Sequence, residues 1–462
     1  MRSGRGTDFF MKKQLILTLL CLLMGTADLP AQGGTGVYAG GHIRRARPNT
    51  IKTLRNSGFT YVILFNVHVD ADGTLMVDNG GEAGGIICRN GEYIFNKVQP
   101  YYAADIRDLK TAPTSIERIE ICIGGWGNDS YNHIRELINK EGTGEETILY
   151  RNFKALKEAI PEIEAVNNDD EQCYDASTAV KFHAMMFDLG YKTTVAPYTN
   201  KSFWNSLVTQ LNRQRSGACD RVLIQCYDGG AYNNPSDWKL GDLPVHAGRT
   251  NYQTDMETSL SQMKSWKSNN GVVGAFVWVY NDETWNLHNW ATAMNRIYPS
   301  KTVTSRQTAV TVYSEVDYGG YSVALPEGSY HLADLAAYGV TQKDIESIKV
   351  REGYQIQLFI NDELRGTASS SVTFTASSPD LSYVYNGRDR NYRNRAVSLI
   401  ISKVDESGVS PVKTDDMEPS VIYNLQGQRI GEPTSGQVYI YKGKKIAPRG
   451  PISEWSLGGA QK

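Results

Sequence analysis

The sequence predicts an α/β protein, a (β/α)8 TIM barrel followed by a smaller all-β domain. Between Gly36 and Tyr298, eight apolar strand-like runs alternate with helix-like segments, which is the pattern of parallel βα units. Such a barrel usually takes about 250 residues. From Ala309 to Ser402 the pattern changes to short strand-like runs with Gly turns and few helix signals. That change indicates a second domain made of antiparallel strands.

The sequence signal is not equally strong for all eight predicted barrel strands. The strand pattern of Val272 to Tyr280 is strong, and that of Leu243 to His246 is weak. An open doubly wound sheet is the main alternative, but no Gly-rich phosphate-binding turn follows the first strand. In chain order, the predicted strands are residues 36–40, 61–67, 116–125, 163–171, 192–197, 222–228, 243–246 and 272–280.

Composition narrows the classes of function. The chain has 462 residues and a net charge of -2, so no charge excess indicates nucleic acid or an anionic membrane as a partner. It contains 27 Tyr and 8 Trp. Aromatic rings are common in sugar-binding clefts, where they cover the apolar face of a pyranose, but large β-rich cores also use them. Composition alone does not choose between these uses.

The N-terminal residues have the features of a secretory signal peptide. Two lysines precede an apolar run from Leu15 to Met24, and a cleavage position follows Ala31. A transmembrane anchor is the alternative, but this run is about half of the length that a span needs. We therefore predict a signal peptide at residues 1–31 and a secreted mature chain without a membrane span.

The cysteines do not indicate a disulfide framework. Of the six, Cys21 lies in the apolar run, which leaves an odd and sparse set in the mature chain. No Cys/His spacing is typical of a zinc site. We expect no metal site and no cofactor.

The stretch from Ile163 to Glu171 begins apolar and ends in clustered acids. On an extended strand the side chains alternate, so Asn167, Asp169 and Glu171 are expected on one face. The carboxyl ends of barrel strands form the active-site edge of this fold. The acids could instead favour the N-terminus of the following helix. This motif alone leaves both interpretations open.

This strand resembles the D-x-x-D-x-D-x-E strand of glycoside hydrolase family 18. Glu164, Asn167, Asp169 and Glu171 stand at its four marked positions. The ending Asp-Asp-Glu is more similar to the endo-β-N-acetylglucosaminidase branch than to chitinases, which usually carry an aromatic residue between the last two acids. The first two positions depart from the family, because Glu and Asn replace Asp there.

Three other strand ends carry motifs similar to those of the same family. Residues 122–125 (Cys-Ile-Gly-Gly) resemble its S-x-G-G signature, with Cys in place of Ser. Residues 225–228 (Gln-Cys-Tyr-Asp) resemble M-x-Y-D, or Q-x-Y-N in some endoglycosidases, and Trp278 resembles the tryptophan of the pocket floor. Each motif also has a purely structural interpretation. Together they occur in the order of the family, over about residues 34–300.

The resemblance implies retaining hydrolysis of a β-1,4 bond at N-acetylglucosamine, assisted by the acetamido group of the substrate. Glu171 would be the general acid, with a pKa raised by a neighbouring carboxylate. Asp169 would orient the acetamido N–H, and Tyr227 would hold the acetamido oxygen. The implied substrate-binding residues are Asn167, Gln225, Asp228, Trp278, Gly124, Gly125, Trp126 and Tyr38.

The resemblance also bears on the substrate. The interval from His246 to Val272 has no room for the small domain that walls the cleft of many chitinases in this family. We therefore expect an open cleft, shaped by the loops of residues 70–93 and 229–241. The second loop carries Tyr232 and Trp238, which are suited to stacking on a glycan.

The predicted function is that of an endo-β-N-acetylglucosaminidase acting on the chitobiose core of N-glycans. The partner is accordingly an N-acetylglucosamine-containing glycan. A non-processive chitinase is one alternative. A barrel that binds glycans without cleaving them is another, and Glu164, Asn167 and Cys122 favour it because they depart from the family's residues. In either case Asn167, having no charge, is expected to hydrogen-bond Asp169.

Residues 303–404 resemble a βγ-crystallin domain, a sandwich of two Greek keys. The resemblance is carried by Tyr-containing strand runs in residues 312–321 and 345–359. Microbial members often bind calcium, which prefers several oxygen ligands. Lys343 and Arg393 stand in the corresponding segments of this chain. We therefore expect a structural accessory domain.

The last residues form a predicted linker and tail. Residues 405–418 are polar, and residues 419–462 contain two strand-like runs around a turn, which predict a β-hairpin. Similar hairpins end many secreted proteins of Bacteroidetes-type bacteria. The tail is either a sorting signal or a strand pair packed on the preceding domain. We expect a periplasmic, cell-surface or extracellular protein of such a Gram-negative bacterium.

Overall fold

The computed structural model describes most of the chain between residues 33 and 404, and parts of the tail. The predicted signal peptide at residues 1–31 and the predicted linker at residues 405–418 lie outside the described residues. The described ranges are residues 33–40, 49–77, 85–280, 287–301, 303–367, 369–385, 388–404, 422–424, 429–430, 439–441 and 444–446.

The larger part of the structure alternates strands and helices. Its strands are β1 (Gly34–Gly40), β2 (Tyr61–Val69), β3 (Leu75–Val77), β4 (Ile86–Arg89), β5 (Glu92–Tyr93), β6 (Arg118–Gly124), β7 (Ile163–Asp169), β8 (Lys192–Val195), β9 (Cys219–Gln225), β10 (Val245–Thr250) and β11 (Gly274–Tyr280). Its helices are α1 (Asn49–Arg55), α2 (Tyr102–Asp108), α3 (Ser130–Glu141), α4 (Ile148–Ala159), α5 (Ala176–Asp188), α6 (Lys201–Gln214), α7 (Met256–Asn270) and α8 (Leu287–Ile297).

Eight parallel strands close into a barrel. They are hydrogen-bonded in the order β1-β11-β10-β9-β8-β7-β6-β2, and β1 also pairs with β2, which closes the sheet. All eight predicted barrel strands are confirmed, with their ends moved by a few residues. Because the strands run in one direction, their carboxyl ends meet at one mouth of the barrel.

Local sequence signals start and end the outer helices. Before α5, the Asp175 side chain accepts the N–H of Thr178 at 2.8 Å, and before α7 Asp255 does the same for Thr258. Such N-caps satisfy backbone donors that the helix leaves free. Helix α7 ends at Gly271, whose φ of 68° is a left-handed conformation that favours glycine.

The segment from residue 70 to residue 93 is not the simple loop that the sequence predicted. Strands β3, β4 and β5 continue β2 as an antiparallel extension of the barrel sheet. Leu75, Val77 and Ile87 are buried in the outer core, and burial of these apolar side chains stabilises the extension. Residues 78–84 of this segment lie outside the described residues.

The lower half of the barrel interior, near the strand starts, holds a buried charge network. Glu120 is completely buried, and its carboxylate lies 2.8 Å from the Arg118 guanidinium. Arg118 also makes two hydrogen bonds to Asp220, at 2.7 and 3.0 Å. The Arg221 guanidinium lies over the Tyr61 ring, 4.6 Å from its centroid. Every charge of this network is therefore close to a compensating group.

The smaller part of the structure is antiparallel. The elements of this part are β12 (Val310–Tyr313), β13 (Ser322–Leu325), β14 (Gly328–Tyr330), α9 (Leu332–Ala337), β15 (Ser347–Val350), β16 (Tyr354–Phe359), β17 (Ser371–Phe374), β18 (Ser382–Tyr385), β19 (Arg388–Asn391) and β20 (Ser398–Lys403). Strands β13-β12-β15 form one sheet, β14-β20-β16-β17 form another, and β18 pairs with β19.

This β domain has its own apolar core and docks at the base of the barrel. Asn295 of α8 is completely buried and donates to Gly58 O at 2.8 Å and to Ala336 O at 2.7 Å. Its Oδ1 accepts from the Thr35 hydroxyl at 2.6 Å. Thr35 opens β1, so the contact lies at the end opposite to the mouth.

The tail differs from the predicted hairpin. Four short strands, β21 (Ile422–Asn424), β22 (Arg429–Ile430), β23 (Tyr439–Tyr441) and β24 (Lys444–Ile446), form one antiparallel sheet in the order β22-β21-β23-β24. Each predicted strand is thus two strands.

Candidate functional site

The mouth of the barrel contains a cavity of about 550 Å³. Eight of its lining residues are site residues that the sequence predicted, and they lie at or just after the ends of β6, β7, β9 and β11. The lining consists of Phe65, Gly125, Trp126, Asp169, Glu171, Tyr198, Gln225, Tyr227, Asp228, Gly229 and Trp278.

A tight turn after β7 brings Glu171 to the cavity. The strand ends at Asp169, so the alternation predicted for an extended strand does not reach Glu171. Instead, the buried Asp170 carboxylate accepts the backbone N–H groups of Gln172, Cys173 and Tyr174, at 3.1, 2.8 and 2.8 Å. Asp170 therefore fixes the turn, while the two flanking acids line the cavity.

Close packing of β6 against β7 requires glycine at the end of β6. Gly124 has a φ of +109°, and a Cβ there would lie 2.1 Å from the backbone oxygen of Asp169. Gly125 N donates to the same oxygen at 2.7 Å. Gly124 thus shapes the backbone and is not among the residues that line the cavity, in contrast to its predicted contact with substrate.

Asp169 is buried without a cationic partner among the described residues. Its Oδ1 accepts from Gln225 Nε2 at 2.9 Å, and Cys122 Sγ lies 3.9 Å from its Oδ2. Burial and the nearby charge of Glu171 raise the pKa of Asp169 well above its usual range. A buried carboxyl group without a cationic partner is unusual outside functional sites.

Glu171 is half-buried and has a pKa of about 7. Burial is the largest cause, and the negative charges of Asp170 and Asp228 raise the pKa further, while a hydrogen bond from Gln225 lowers it. Neighbouring carboxylates therefore raise the pKa of Glu171 as predicted, and desolvation, which the sequence did not indicate, has the larger effect. Glu171 can hold a proton near neutral pH.

Aromatic side chains form the walls of the cavity. The Trp278 ring packs edge-on against Phe65 and Tyr38, with centroids 4.6 and 5.3 Å away. Tyr227 is buried, and burial together with the two carboxylates raises its pKa, so its hydroxyl stays protonated and can donate. Trp126 is 89% exposed at the rim. Flat apolar surfaces beside two acids suit a sugar ring.

Asp228 lies at the edge of the cavity, held by the segment after β10. Tyr252 OH donates to its Oδ2 at 3.2 Å, and Gln253 Nε2 donates to its Oδ1. Its φ of 45° places the backbone in the left-handed region. Asp228 therefore lines the cavity, and its contact with substrate stays a prediction.

Tyr38 and Asn167 lie below the cavity and do not line it. Tyr38 OH donates to Asn167 Oδ1, and Asn167 Nδ2 donates to Thr194 Oγ1, both at 2.9 Å. The expected hydrogen bond from Asn167 to Asp169 is therefore wrong, because both ends of the amide are engaged elsewhere.

Glu164 points away from the site. It follows the opposite face of β7, where its carboxylate accepts from Lys110 Nζ at 2.8 Å and from the Ile119 N–H at 3.2 Å. The difference between Glu164 and the first Asp of the D-x-x-D-x-D-x-E motif therefore does not alter the cavity.

Sequence reasoning missed some cavity residues and misplaced one. Phe65 was detectable, because it continues the alternation of Tyr61 and Ile63 on the inner face of β2. Tyr198 and Gly229 lie in turns after strands, where alternation gives no signal. Trp238 is buried with its Nε1 donating to Asn233 at 3.2 Å, so it is not a stacking surface, whereas Tyr232 is fully exposed.

The described residues give no sign of a metal site or a membrane helix. No cluster of three or more His, Cys, Asp or Glu side chains among them could hold a metal ion. No helix in this part of the chain is long and apolar enough to cross a membrane.

In the β domain, Arg393 stands in one of the segments that correspond to the calcium-binding segments of βγ-crystallin domains. Its side chain donates to Asp380 at 2.7 Å.

Comparison with known proteins identifies one region. No protein-family model matches the chain. The chain is 35% identical over 77 residues to Development-specific protein S of Myxococcus xanthus, which is 17% of this chain and 43% of that protein. It thus spans less than half of the length of this relative.

Solved structures similar to the chain include βγ-crystallin domains. One from Clostridium beijerinckii is 31% identical and covers 21% of this chain and 99% of its own, with a TM-score of 0.18. The N-terminal domain of Protein S is 29% identical (21% and 96%, TM-score 0.18), and a domain from Flavobacterium johnsoniae is 26% identical (21% and 97%, TM-score 0.18). About a fifth of the chain is thus similar to βγ-crystallin domains, and the barrel lies outside these matches in the comparisons named here.

Proposed function

We propose that the chain is a glycoside hydrolase of the family 18 type, whose barrel is a (β/α)8 TIM barrel with an accessory C-terminal domain. One observation carries this proposal. Asp169 and Glu171 line an aromatic cavity, both have raised pKa values, and neither has an ion pair among the described residues. Acids kept without a cation at a barrel mouth favour proton transfer and stabilisation of positive charge over a structural role.

In the proposed reaction, protonated Glu171 gives its proton to the glycosidic oxygen as the bond to the anomeric carbon breaks. The acetamido oxygen of the substrate attacks that carbon and forms an oxazolinium ion. Asp169 accepts a hydrogen bond from the acetamido N–H, and its negative charge offsets the positive charge of the ion. The Tyr227 hydroxyl donates a hydrogen bond to the acetamido oxygen. Glu171 then takes a proton from the water that opens the ring, which restores the acid and retains the configuration.

Gln225 supports both acids in this scheme. Its Nε2 donates to Asp169 at 2.9 Å and to Ala196 O at 2.9 Å, and a hydrogen bond to Glu171 lowers the pKa of that acid. Where the family resemblance leads one to expect an Asp at position 167, this chain has an amide that bonds elsewhere. Gln225 therefore provides the hydrogen bond that holds Asp169 in place.

The proposed substrate is the chitobiose core of an N-glycan, cleaved so that one N-acetylglucosamine stays on the protein. The exposed Trp126 and the partly exposed Tyr252 provide rings near an open mouth, which suits a branched glycan more than a long single chain. We also propose that the chain is secreted, since such glycans lie outside the cytoplasm.

The direct test offers a high-mannose glycopeptide and a soluble chitin oligomer at equal concentration and follows the products by mass. The proposal predicts a peptide that retains one N-acetylglucosamine, formed faster than chitin fragments. Faster cleavage of the chitin oligomer would contradict the N-glycan substrate and favour a non-processive chitinase. No cleavage of either would contradict hydrolysis.

A glycan-binding protein without activity is the second candidate. It is favoured by Asn167, whose amide is held by Tyr38 and Thr194 and cannot share a proton with Asp169. Titration of the glycopeptide in a calorimeter distinguishes the two. Heat of binding without released glycan supports the second candidate.

A further inference from the structure

Four buried side chains form a continuous chain of hydrogen bonds from the cavity floor to the lower half of the barrel. Tyr38 OH donates to Asn167 Oδ1 at 2.9 Å, and Asn167 Nδ2 donates to Thr194 Oγ1 at 2.9 Å. Thr194 Oγ1 then donates to Glu120 Oε2 at 2.5 Å. All four are at most 2% exposed, so no bulk water competes for these bonds.

The negative charge of Glu120 fixes which group donates and which accepts in each of these hydrogen bonds. Glu120 lies 2.8 Å from the Arg118 guanidinium, and a carboxylate can only accept hydrogen bonds. The Thr194 hydroxyl must therefore donate to Glu120 and accept from Asn167. The Asn167 amide is then fixed with its nitrogen towards Thr194 and its oxygen towards Tyr38, which makes the Tyr38 hydroxyl a donor to Asn167.

This direction matters for the carboxylate above it. Burial is the largest cause of the raised pKa of the Tyr38 phenol, and the negative charge of Asp169 raises it further. If the amide were reversed, the Tyr38 hydroxyl would lose its acceptor and could turn to Asp169. In the observed direction neither Tyr38 nor Asn167 donates to Asp169, which leaves that carboxylate with bonds from Gln225 and Cys122.

We propose that Glu120 and Thr194 are positioning residues, which lock the Asn167 amide and the Tyr38 hydroxyl so that neither group occupies the remaining acceptor sites of Asp169, which stay available for a ligand N–H. The identity of that N–H, an acetamido group, rests on the proposed function. The lock itself does not, since it follows from four contacts and one buried charge.

The Thr194→Val variant removes the hydrogen bonds that link Glu120 to Asn167 and leaves the ion pair between Glu120 and Arg118 in place. Thr194→Ser keeps the hydroxyl. Thr193→Val is a matched control, because Thr193 is equally buried on the same strand and bonds His183 Nδ1 at 3.0 Å on the opposite face. A loss of general stability would affect both Val variants alike.

On the glycopeptide, Thr194→Val is expected to lower kcat by at least about tenfold with KM changed by less than about threefold, because the released Tyr38 hydroxyl then competes for Asp169 while the cavity lining is unchanged. Thr194→Ser and Thr193→Val are expected to stay within about threefold of the parent. An unchanged kcat in Thr194→Val, or an equal loss in Thr193→Val, would overturn the proposal.

A second measurement does not depend on activity. In protein labelled with ¹⁵N-asparagine, the Asn167 side-chain amide is assigned by its loss in Asn167→Asp, and its hydrogen exchange is followed by NMR. Exchange is expected to be slow in the parent and in Thr194→Ser, and at least about tenfold faster in Thr194→Val. Equal exchange in the parent and Thr194→Val would overturn the lock. If the parent cleaves nothing, the proposed function fails, and these exchange rates alone decide the lock.

Discussion

The two halves of the barrel interior differ in whether their acidic side chains are paired with cations. In the lower half, Glu120 lies against Arg118, and Asp220 holds the same guanidinium with two bonds. At the mouth, Asp169 and Glu171 have no cationic partner among the described residues, and their pKa values are raised. Burial of a charge is costly unless it is paired. The unpaired acids are therefore the ones that indicate function, and the paired one indicates structure.

The largest expected effect is on the acid at the mouth. Replacing Glu171 by Gln keeps its shape but removes the transferable proton, so cleavage of the glycopeptide should fall by at least about a hundredfold. Binding of the glycopeptide should remain. The matched control is Glu164→Gln, on the opposite face of the same segment, which should retain activity. Cleavage by Glu171→Gln within a few-fold of the parent would refute the role of Glu171.

The lower half should respond in stability. Glu120→Gln leaves the Arg118 guanidinium with a weaker partner in the interior, and we expect a loss of about 3 kcal/mol in the free energy of unfolding by denaturant titration. The control Glu164→Gln breaks a partly exposed pair with Lys110 and should cost less than about 1 kcal/mol. Equal losses would remove the distinction between buried and exposed pairs.

The smallest expected effect is on how the stability of the folded protein depends on pH. The folded state raises the pKa of Glu171 from its usual 4.5 to about 7, so the folded protein binds this proton more tightly than the unfolded chain does. The resulting stabilisation is complete below about pH 4.5 and is lost as the pH rises through about 7. Glu171→Gln does not ionise. Its melting temperature should therefore exceed that of the parent by more at pH 8 than at pH 5, and a constant difference would contradict the raised pKa.

The sequence was most informative where alternation along a strand applies. The eight barrel strands and the positions of Asp169, Gln225, Tyr227 and Trp278 at the mouth follow from apolar runs and the motifs at their ends. Glu171 was found although β7 stops two residues earlier, because its motif was recognised and not because of the strand geometry. The βγ-crystallin-like domain was likewise predictable from its strand runs.

Side-chain partners could not be predicted in the same way. The amide of Asn167 has two donors and two acceptor sites, and its choice of Tyr38 and Thr194 depends on Glu120, which is distant in sequence. Trp238 was expected to be exposed because it lies in a loop, yet that loop folds back and buries the ring. Such outcomes depend on contacts between distant segments, which a local pattern does not contain.

The pH dependence of kcat/KM tests the central claim most directly, namely that Glu171, a half-buried acid without an ion pair at the mouth, donates the proton. Glu171 must be protonated to act, and its pKa is about 7. Cleavage of the glycopeptide by the parent should therefore be sustained at mildly acidic pH and fall about tenfold per pH unit above pH 7. A fall that is already complete by pH 5 to 6, as for an ordinary glutamic acid, or no fall up to pH 9, would contradict the account.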